Sequence, residues 1–324
     1  MPQRLLSIND LRTHFFTLTG VVKAVDGVSF SIDKGETLGL VGESGSGKTV
    51  TALSIMRLIP RPGKIVSGSA EFEGIGNLVS KTESEMRRIR GKNIAMSFQD
   101  PMTYLNPVLK VGDQIAETIC LHQNMSTREA KEEAIDSMRL VGIPSPEARA
   151  KEYPHQMSGG MRQRIMLAMA LSCQPELLIA DEPTTALDVI IQDEILSLMK
   201  DLKLNNSLLI ITHDLGVVAE LSDRVAIMYA GHLMENAHTR ILFKRPRNPY
   251  TQALLESIPR VDWGKRRLRA IQGSIPDMIS PPSGCRFHPR CSYVEAVCRD
   301  EVPRLQEVEP GHWTACHRWQ EIRC

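Results

Sequence analysis

Apolar and polar residues alternate through much of residues 4–41, the period-two rhythm of strands with one buried face. The clearest case is Ala24–Val25–Asp26–Gly27–Val28–Ser29–Phe30–Ser31–Ile32, closed by a turn at Asp33–Lys34–Gly35–Glu36. Further along the rhythm changes. Short apolar runs without alternation occupy residues 36–41, 93–98, 177–180, 207–212 and 224–229. Runs of that length predict strands buried on both faces, as in a parallel sheet. Between them lie segments that predict helices: 50–58, 82–89, most of 110–172, 193–204 and 217–221. Gly142 and prolines 144, 146 and 154 break the long one. Glycines 63, 68, 74 and 76 between short apolar stretches predict a hairpin. Buried strands alternating with helices make an α/β fold with its active groups at the C-terminal ends of the strands.

After Gly231 the texture changes. Prolines 246, 249, 259, 276, 281, 282 and 289 interrupt the chain and the periodicity fades. We therefore expect a main domain over residues 1–245, with a helical part at about 100–172. Residues 246–324 are expected to form a small, irregular, cysteine-bearing appendage. No internal repeat or low-complexity tract is present.

One stretch organises the rest. Gly42–Glu43–Ser44–Gly45–Ser46–Gly47–Lys48–Thr49 fits the phosphate-binding pattern G-x-x-x-x-G-K-[ST], with a strand before it and an apolar helix from Val50 after it. Glycines let the backbone curl so that successive N–H groups face phosphate oxygens. The helix N-terminus adds partial positive charge. Lys48 should reach the terminal phosphates, and Thr49 should hold Mg²⁺ through its hydroxyl.

Composition narrows the setting. The 324 residues are 42% hydrophobic and 24% charged, with a net charge of +1. That balance is ordinary for a globular protein and makes no electrostatic case for nucleic acid. No apolar run reaches membrane-spanning length, and the first ten residues lack the apolar centre of a secretion signal. We expect a cytoplasmic chain, and any membrane role would run through a partner. Of seven cysteines, Cys120 and Cys173 lie in the main body, and Cys285, Cys291, Cys298, Cys316 and Cys324 crowd the end. In a cytoplasmic protein such crowding points to metal or redox chemistry before disulfides.

Asp181–Glu182 closes the apolar run at 177–180 in the manner of a metal-holding acid followed by a general base. Met157–Ser158–Gly159–Gly160–Met161 stands directly before a helix, 17 residues ahead of that run. With Gln99, Ala186–Leu187–Asp188 and His213 added, the series resembles, in order and spacing, the nucleotide-binding subunit of an ATP-binding cassette (ABC) transporter over about residues 4–250. The resemblance implies a phosphate-loop ATPase core with an N-terminal antiparallel β subdomain and a helical subdomain.

It also implies roles. Ser44, Gly45, Ser46, Gly47, Lys48, Thr49, Val50 and Asp181 would bind ATP and its metal. Gln99 resembles the glutamine that touches Mg²⁺ and senses the membrane partner. Glu182 would activate water, and His213 would contact the γ-phosphate. Ser158, Gly159 and Gly160 resemble the family's LSGGQ signature, which meets ATP held by the opposite subunit. Asp188 resembles the aspartate of the dimer interface. Met161 stands where the signature ends in Gln. The usual position of the adenine-stacking aromatic is Thr19, with Phe15 and Phe16 just upstream as substitutes. Each site then needs a second chain, so a head-to-tail dimer is implied.

Ser97–Phe98–Gln99–Asp100–Pro101–Met102, Leu105–Asn106–Pro107, Tyr153–Pro154–His155–Gln156 and Asn248–Pro249–Tyr250–Thr251–Gln252–Ala253–Leu254–Leu255 are similar to the dipeptide/oligopeptide (and nickel) importer branch, nearest its D-type subunits. That branch implies a related F-type ATP-binding partner, two membrane permeases and an extracytoplasmic peptide-binding protein. The chain would be peripheral on the cytoplasmic face of the membrane. Peptides are the expected cargo, with nickel as the alternative. A soluble cassette acting on nucleic acid is the rival reading, opposed by the single cassette and near-neutral charge. Cys285, Cys291, Cys298 and Cys316 resemble the branch's C-terminal cysteines, which in some members bind a 4Fe–4S cluster. Their spacing matches neither ferredoxin runs nor short-spaced zinc knuckles. Zinc, with His288, His312 or His317 available, and plain reduced thiols stay open.

Overall fold

The computed structural model describes residues 3–185, 188–203, 206–258 and 271–322. Twelve strands lie among them: β1 Arg4–Thr17, β2 Gly20–Asp33, β3 Thr37–Val41, β4 Gly63–Phe72, β5 Gly76–Asn77, β6 Ile94–Ser97, β7 Leu177–Asp181, β8 Ser207–Thr212, β9 Arg224–Tyr229, β10 His232–His238, β11 Gln306–Glu309 and β12 His312–Thr314. They divide between two compact units. One is drawn from Met1–Asp33, Thr37–Ser80 and Thr212–Cys324, the other from Lys34–Glu36 and Lys81–Ile211.

The first unit contains the antiparallel sheet β2-β1-β4-β5. Its alternation is the predicted one: Leu6, Ile8, Val28, Phe30, Ile32, Ala70 and Phe72 are buried, and Ile8 faces Phe30 on one side and Ala70 on the other. The same unit holds β3 beside β9 in parallel, then β10, β12 and β11 in antiparallel succession. Val41, Val218, Val225, Ile227, Tyr229, Tyr250 and Phe287 form a core on this sheet.

The chain after Gly231 is more regular than its sequence predicts. It forms β10, helices Thr239–Lys244 and Pro249–Glu256, and the β11–β12 hairpin. The expected boundary near residue 245 falls inside this unit. The period was unreadable because β10 buries polar residues. Glu235 and His312 are both fully buried, and Glu235 Oε1 lies 2.6 Å from His312 Nε2 and accepts the Arg247 N–H at 2.6 Å. Burial of such groups is tolerated when they are paired, and here the partner is 77 residues away.

In the second unit β6, β7 and β8 run parallel, with Ile94 beside Leu177 and Leu177 beside Ser207, and all three strands are buried throughout. The region predicted as one broken helical stretch contains helices Val111–Gln123, Thr127–Leu140, Pro146–Arg149 and Gly159–Leu171. An extra break falls at Asn124, which is left-handed at φ 50°. Ser126 and Glu129 then form a reciprocal capping box, a signal legible in Ser126–Thr127–Arg128–Glu129.

Candidate functional site

The phosphate loop, in the first unit, joins β3 to helix Lys48–Ile55. Its glycines are required by space. A Cβ on Gly42 would sit 2.2 Å from the Met228 carbonyl oxygen, and one on Gly47 (φ +103°) would sit 2.3 Å from that of Ala24. Lys48 is buried and crosses the loop, donating to the carbonyls of Gly42 at 2.7 Å and Glu43 at 3.1 Å. Ser46 Oγ is buried without a hydrogen-bond partner among the described residues, although the Ser46 carbonyl accepts from Gly231. Ser44, Gly45 and Thr49 are exposed, and Val50 is half-buried. A curled backbone at a helix N-terminus, with a lysine and an unsatisfied hydroxyl, fits a polyphosphate.

Two flanking contacts were not anticipated. The Glu43 N–H donates to Tyr250 Oη at 3.1 Å, and Glu43 Oε2 pairs with Arg290 Nη1 at 3.0 Å. Pro289–Arg290–Cys291 stood out in the sequence only for its cysteine, since no local pattern ties residue 290 to residue 43. His213 follows β8 and is exposed, directly before helix Leu215–Leu221, which Asp214 caps. Phe16 is exposed on β1, with Lys64 Nζ 5.8 Å from its ring centre.

The second unit gathers a separate polar group. Asp181 ends β7 and is buried. Glu182 follows in the left-handed region at φ +48°, a conformation disfavoured for a residue with a Cβ, and its N–H donates to the Ile211 carbonyl at 2.8 Å. Glu182 Oε2 accepts from Gln99 Nε2 at 3.1 Å and from Thr185 Oγ1 at 2.7 Å. Sequence reading paired neither residue with Glu182. Thr185 stands in a plain Pro-Thr-Thr run, and Gln99 comes from the end of another strand.

Gln99, Gly159, Gln163 and Thr185 line a cavity of about 300 Å³ in this unit. Ser158 caps helix Gly159–Leu171 by accepting the Met161 N–H at 3.3 Å. Gly160 is buried against Ile191, whereas a Cβ on Gly159 would meet nothing within 4 Å. Packing within the chain therefore explains one glycine of the pair and not the other. Asp188 accepts the Ile191 N–H at 3.0 Å, and beside it Val189 and Ile190 are 82% and 73% exposed. Ala186 and Leu187 lie outside the described residues.

Cys285, Cys291, Cys298 and Cys316 line one cavity of about 20 Å³ in the first unit, together with His288, Tyr293 and His317. Backbone N–H groups of Tyr293 and Arg318 donate to the sulfurs of Cys291 (3.4 Å) and Cys316 (3.3 Å). Burial pushes the Cys285 thiol up to about 11 and the Cys316 thiol to about 12, and raises Cys291 and Cys298 as well. The expected ligand set is not closed: among the described residues no group of three or more His, Cys, Asp or Glu stands as a metal-holding cluster. His312, considered as a zinc ligand, instead pairs with Glu235. Cys324 lies outside the described residues.

Residues 25–185 match the ABC transporter family, and residues 234–298 match the C-terminal region of oligopeptide/dipeptide transporters. The chain is 51% identical over 320 residues to the oligopeptide transport ATP-binding protein AppD of Bacillus subtilis, covering 98% of this chain and 97% of that one. It is 49% identical over 317 residues to the dipeptide transport ATP-binding protein DppD of the same organism, covering 97% and 94%. Its fold is similar to the solved dimeric ATP-binding cassette MJ0796 bound to ADP and Pi, with a TM-score of 0.66 at 24% identity over 73% of this chain and 99% of that one.

Proposed function

The chain belongs to the ATP-binding proteins of peptide ABC transporters, and from that premise we propose how its residues work. It is the ATP-hydrolysing subunit of an importer that takes up dipeptides or oligopeptides. The observation that carries the chemistry is Glu182, held left-handed at a strand end with its carboxylate fixed by Gln99 and Thr185. A carboxylate so fixed can orient a water and take its proton. The water oxygen attacks the γ-phosphorus, the bond to the bridging oxygen breaks, and ADP leaves with inorganic phosphate. Ser44 to Val50 cradle the phosphates, Lys48 neutralises their charge, and His213 contacts the γ-phosphate. Thr49, Gln99 and Asp181 would hold Mg²⁺, which offsets phosphate charge when bound.

The second half of each site comes from another subunit, through Ser158, Gly159 and Gly160. The open space around Gly159 supports a close backbone approach from outside the chain, and the exposed Val189 and Ile190 beside Asp188 suit a subunit contact. The partners are a related F-type ATP-binding chain, two membrane permeases and an extracytoplasmic peptide-binding protein, with no nucleic acid. No helix among the described residues is long and apolar enough to cross a membrane. The chain sits peripherally on the cytoplasmic face, where Gln99 and the exposed Met102 and Tyr104 offer a docking surface to a permease. Glu182→Gln in the assembled importer should keep ATP binding and lower hydrolysis by about 10² or more. Unchanged turnover would remove Glu182 as the base.

For the tail we propose a 4Fe–4S centre that would draw Cys285, Cys291, Cys298 and Cys316 together: they line one cavity and two of them accept backbone N–H groups, which favour thiolate ligands, although as they stand no three of them form a metal-holding group. Anaerobic purification with iron and acid-labile sulfide assays should give about four irons per chain. One zinc per chain, or no metal, would overturn the cluster and leave the ATPase reading standing.

A further inference from the structure

The phosphate loop carries an electrostatic liability. Glu43 is its second residue, and a carboxylate there opposes the binding of a polyanion. Within the loop, Lys48 donates to the carbonyls of residues 42 and 43. The resolution comes from the cysteine-bearing tail. Arg290, only 6% exposed, places Nη1 3.0 Å from Glu43 Oε2 and 3.2 Å from Tyr229 Oη. Its Nε donates to the Gln272 carbonyl at 2.8 Å, so the guanidinium is fixed from both sides. Tyr250 holds the Glu43 N–H, and Tyr229, Tyr250 and Phe287 pack together with ring centres 4.6 to 5.2 Å apart. Phe287 and Arg290 both lie between Cys285 and Cys291.

A second strut runs in parallel. Arg286, next to Cys285, donates to the Ala230 carbonyl and pairs with Asp26. The Asp26 N–H donates to Gly231 at 2.9 Å, and the Gly231 N–H donates to Ser46 of the loop at 2.9 Å. Two arginines flanking two of the four thiols thus reach the loop, one directly and one through a short hydrogen-bonded chain.

We propose that the segment between Cys285 and Cys291 clasps the phosphate loop, and that Arg290 is a positioning residue that offsets the Glu43 carboxylate and so sets nucleotide affinity. This deepens the ATPase reading and rests on it only in taking residues 42–49 as the phosphate site. It does not depend on which metal, if any, the thiols hold. The distinguishing feature is charge: the effect must grow with the number of phosphates, and removing the Glu43 charge must cancel it. A purely structural arginine would do neither.

The test measures equilibrium binding of ATP, ADP and AMP to the full chain, with the melting temperature of the nucleotide-free protein recorded alongside. Arg290→Gln should weaken ATP binding roughly tenfold, ADP less and AMP least. Glu43→Gln in the same background should restore ATP affinity to within about twofold. Glu43→Gln alone should bind ATP at least as tightly as the unaltered chain, which tests the charge logic even if Arg290→Gln fails to fold. Equal losses for all three nucleotides, no rescue by the second substitution, or weaker binding by Glu43→Gln alone would overturn the clasp. A chain that bound none of the three would instead refute the phosphate-loop reading itself.

Discussion

The phosphate loop and the cysteine tail share one compact unit and arrange their polar atoms in opposite ways. The loop uses eight consecutive residues, and its binding groups are backbone N–H groups at a helix N-terminus. Its curl follows from local sterics, because Gly45 and Gly47 take φ of +80° and +103°, which a Cβ disfavours. The tail uses four side chains spread from residue 285 to residue 316. Local turns join only Cys285 to Cys291; the aromatic packing of Phe287, the Cys285 N–H bond to the Cys298 carbonyl and the pairing of β12 with β10 gather the rest. A site made of backbone is encoded in a motif. A site made of dispersed side chains is only as sound as the core beneath it.

This contrast makes predictions that can break it. The largest effect belongs to the loop. Gly47→Ala should abolish measurable ATP binding in a nucleotide titration, since φ is +103° and the new Cβ would lie 2.3 Å from the Ala24 carbonyl. Retained binding would show that the loop tolerates rebuilding. Next comes the tail's foundation. His312→Ala removes the buried partner of Glu235 and leaves a cavity, so chemical denaturation should report a loss of about 3 kcal/mol. A smaller loss would mean that the β11–β12 hairpin docks without the pair.

A third prediction concerns the strut between the two regions. His232, whose ring nitrogen lies 3.8 Å away, together with Arg286 and Arg12, holds the Asp26 carboxyl well below its usual value of 3.8 against the opposing effect of burial. A depressed carboxyl stabilises the fold at pH above the unfolded value, and that stability is lost as pH falls toward the folded one. Asp26→Asn should therefore melt roughly 3 °C lower at pH 7 and show a flatter decline below about pH 4. Parallel acid limbs for the two proteins would remove Asp26 as the acid-sensitive group. The smallest effect lies outside both regions: Ser126→Ala should cost about 1 kcal/mol in denaturant unfolding, the worth of one helix cap.

Much of the molecule could be read before folding. The parallel strands were legible because each carries an apolar run without alternation, and the phosphate loop because its chemistry is contiguous. Asp181, Glu182 and His213 were placed by the strand ends they follow. The partners of Glu182 were not, because Gln99 reaches it across 83 residues of chain. β10 was missed for the same kind of reason, since its Glu235 reads as exposed until His312 supplies its partner.

The division has a physical cause. Backbone conformation is set largely by near neighbours, through sterics and hydrogen bonds that close within a few residues, so the amino-acid order by itself determined the curl of the phosphate loop and the helix caps, while the close approach of the Met228 and Ala24 carbonyls to Gly42 and Gly47 came with the fold. Side-chain pairs across tens of residues gain their energy only once packing has excluded water from them. Whether Glu43 meets Arg290, whether Glu182 meets Gln99 and Thr185, and whether four thiols share a cavity were therefore decided by tertiary structure alone.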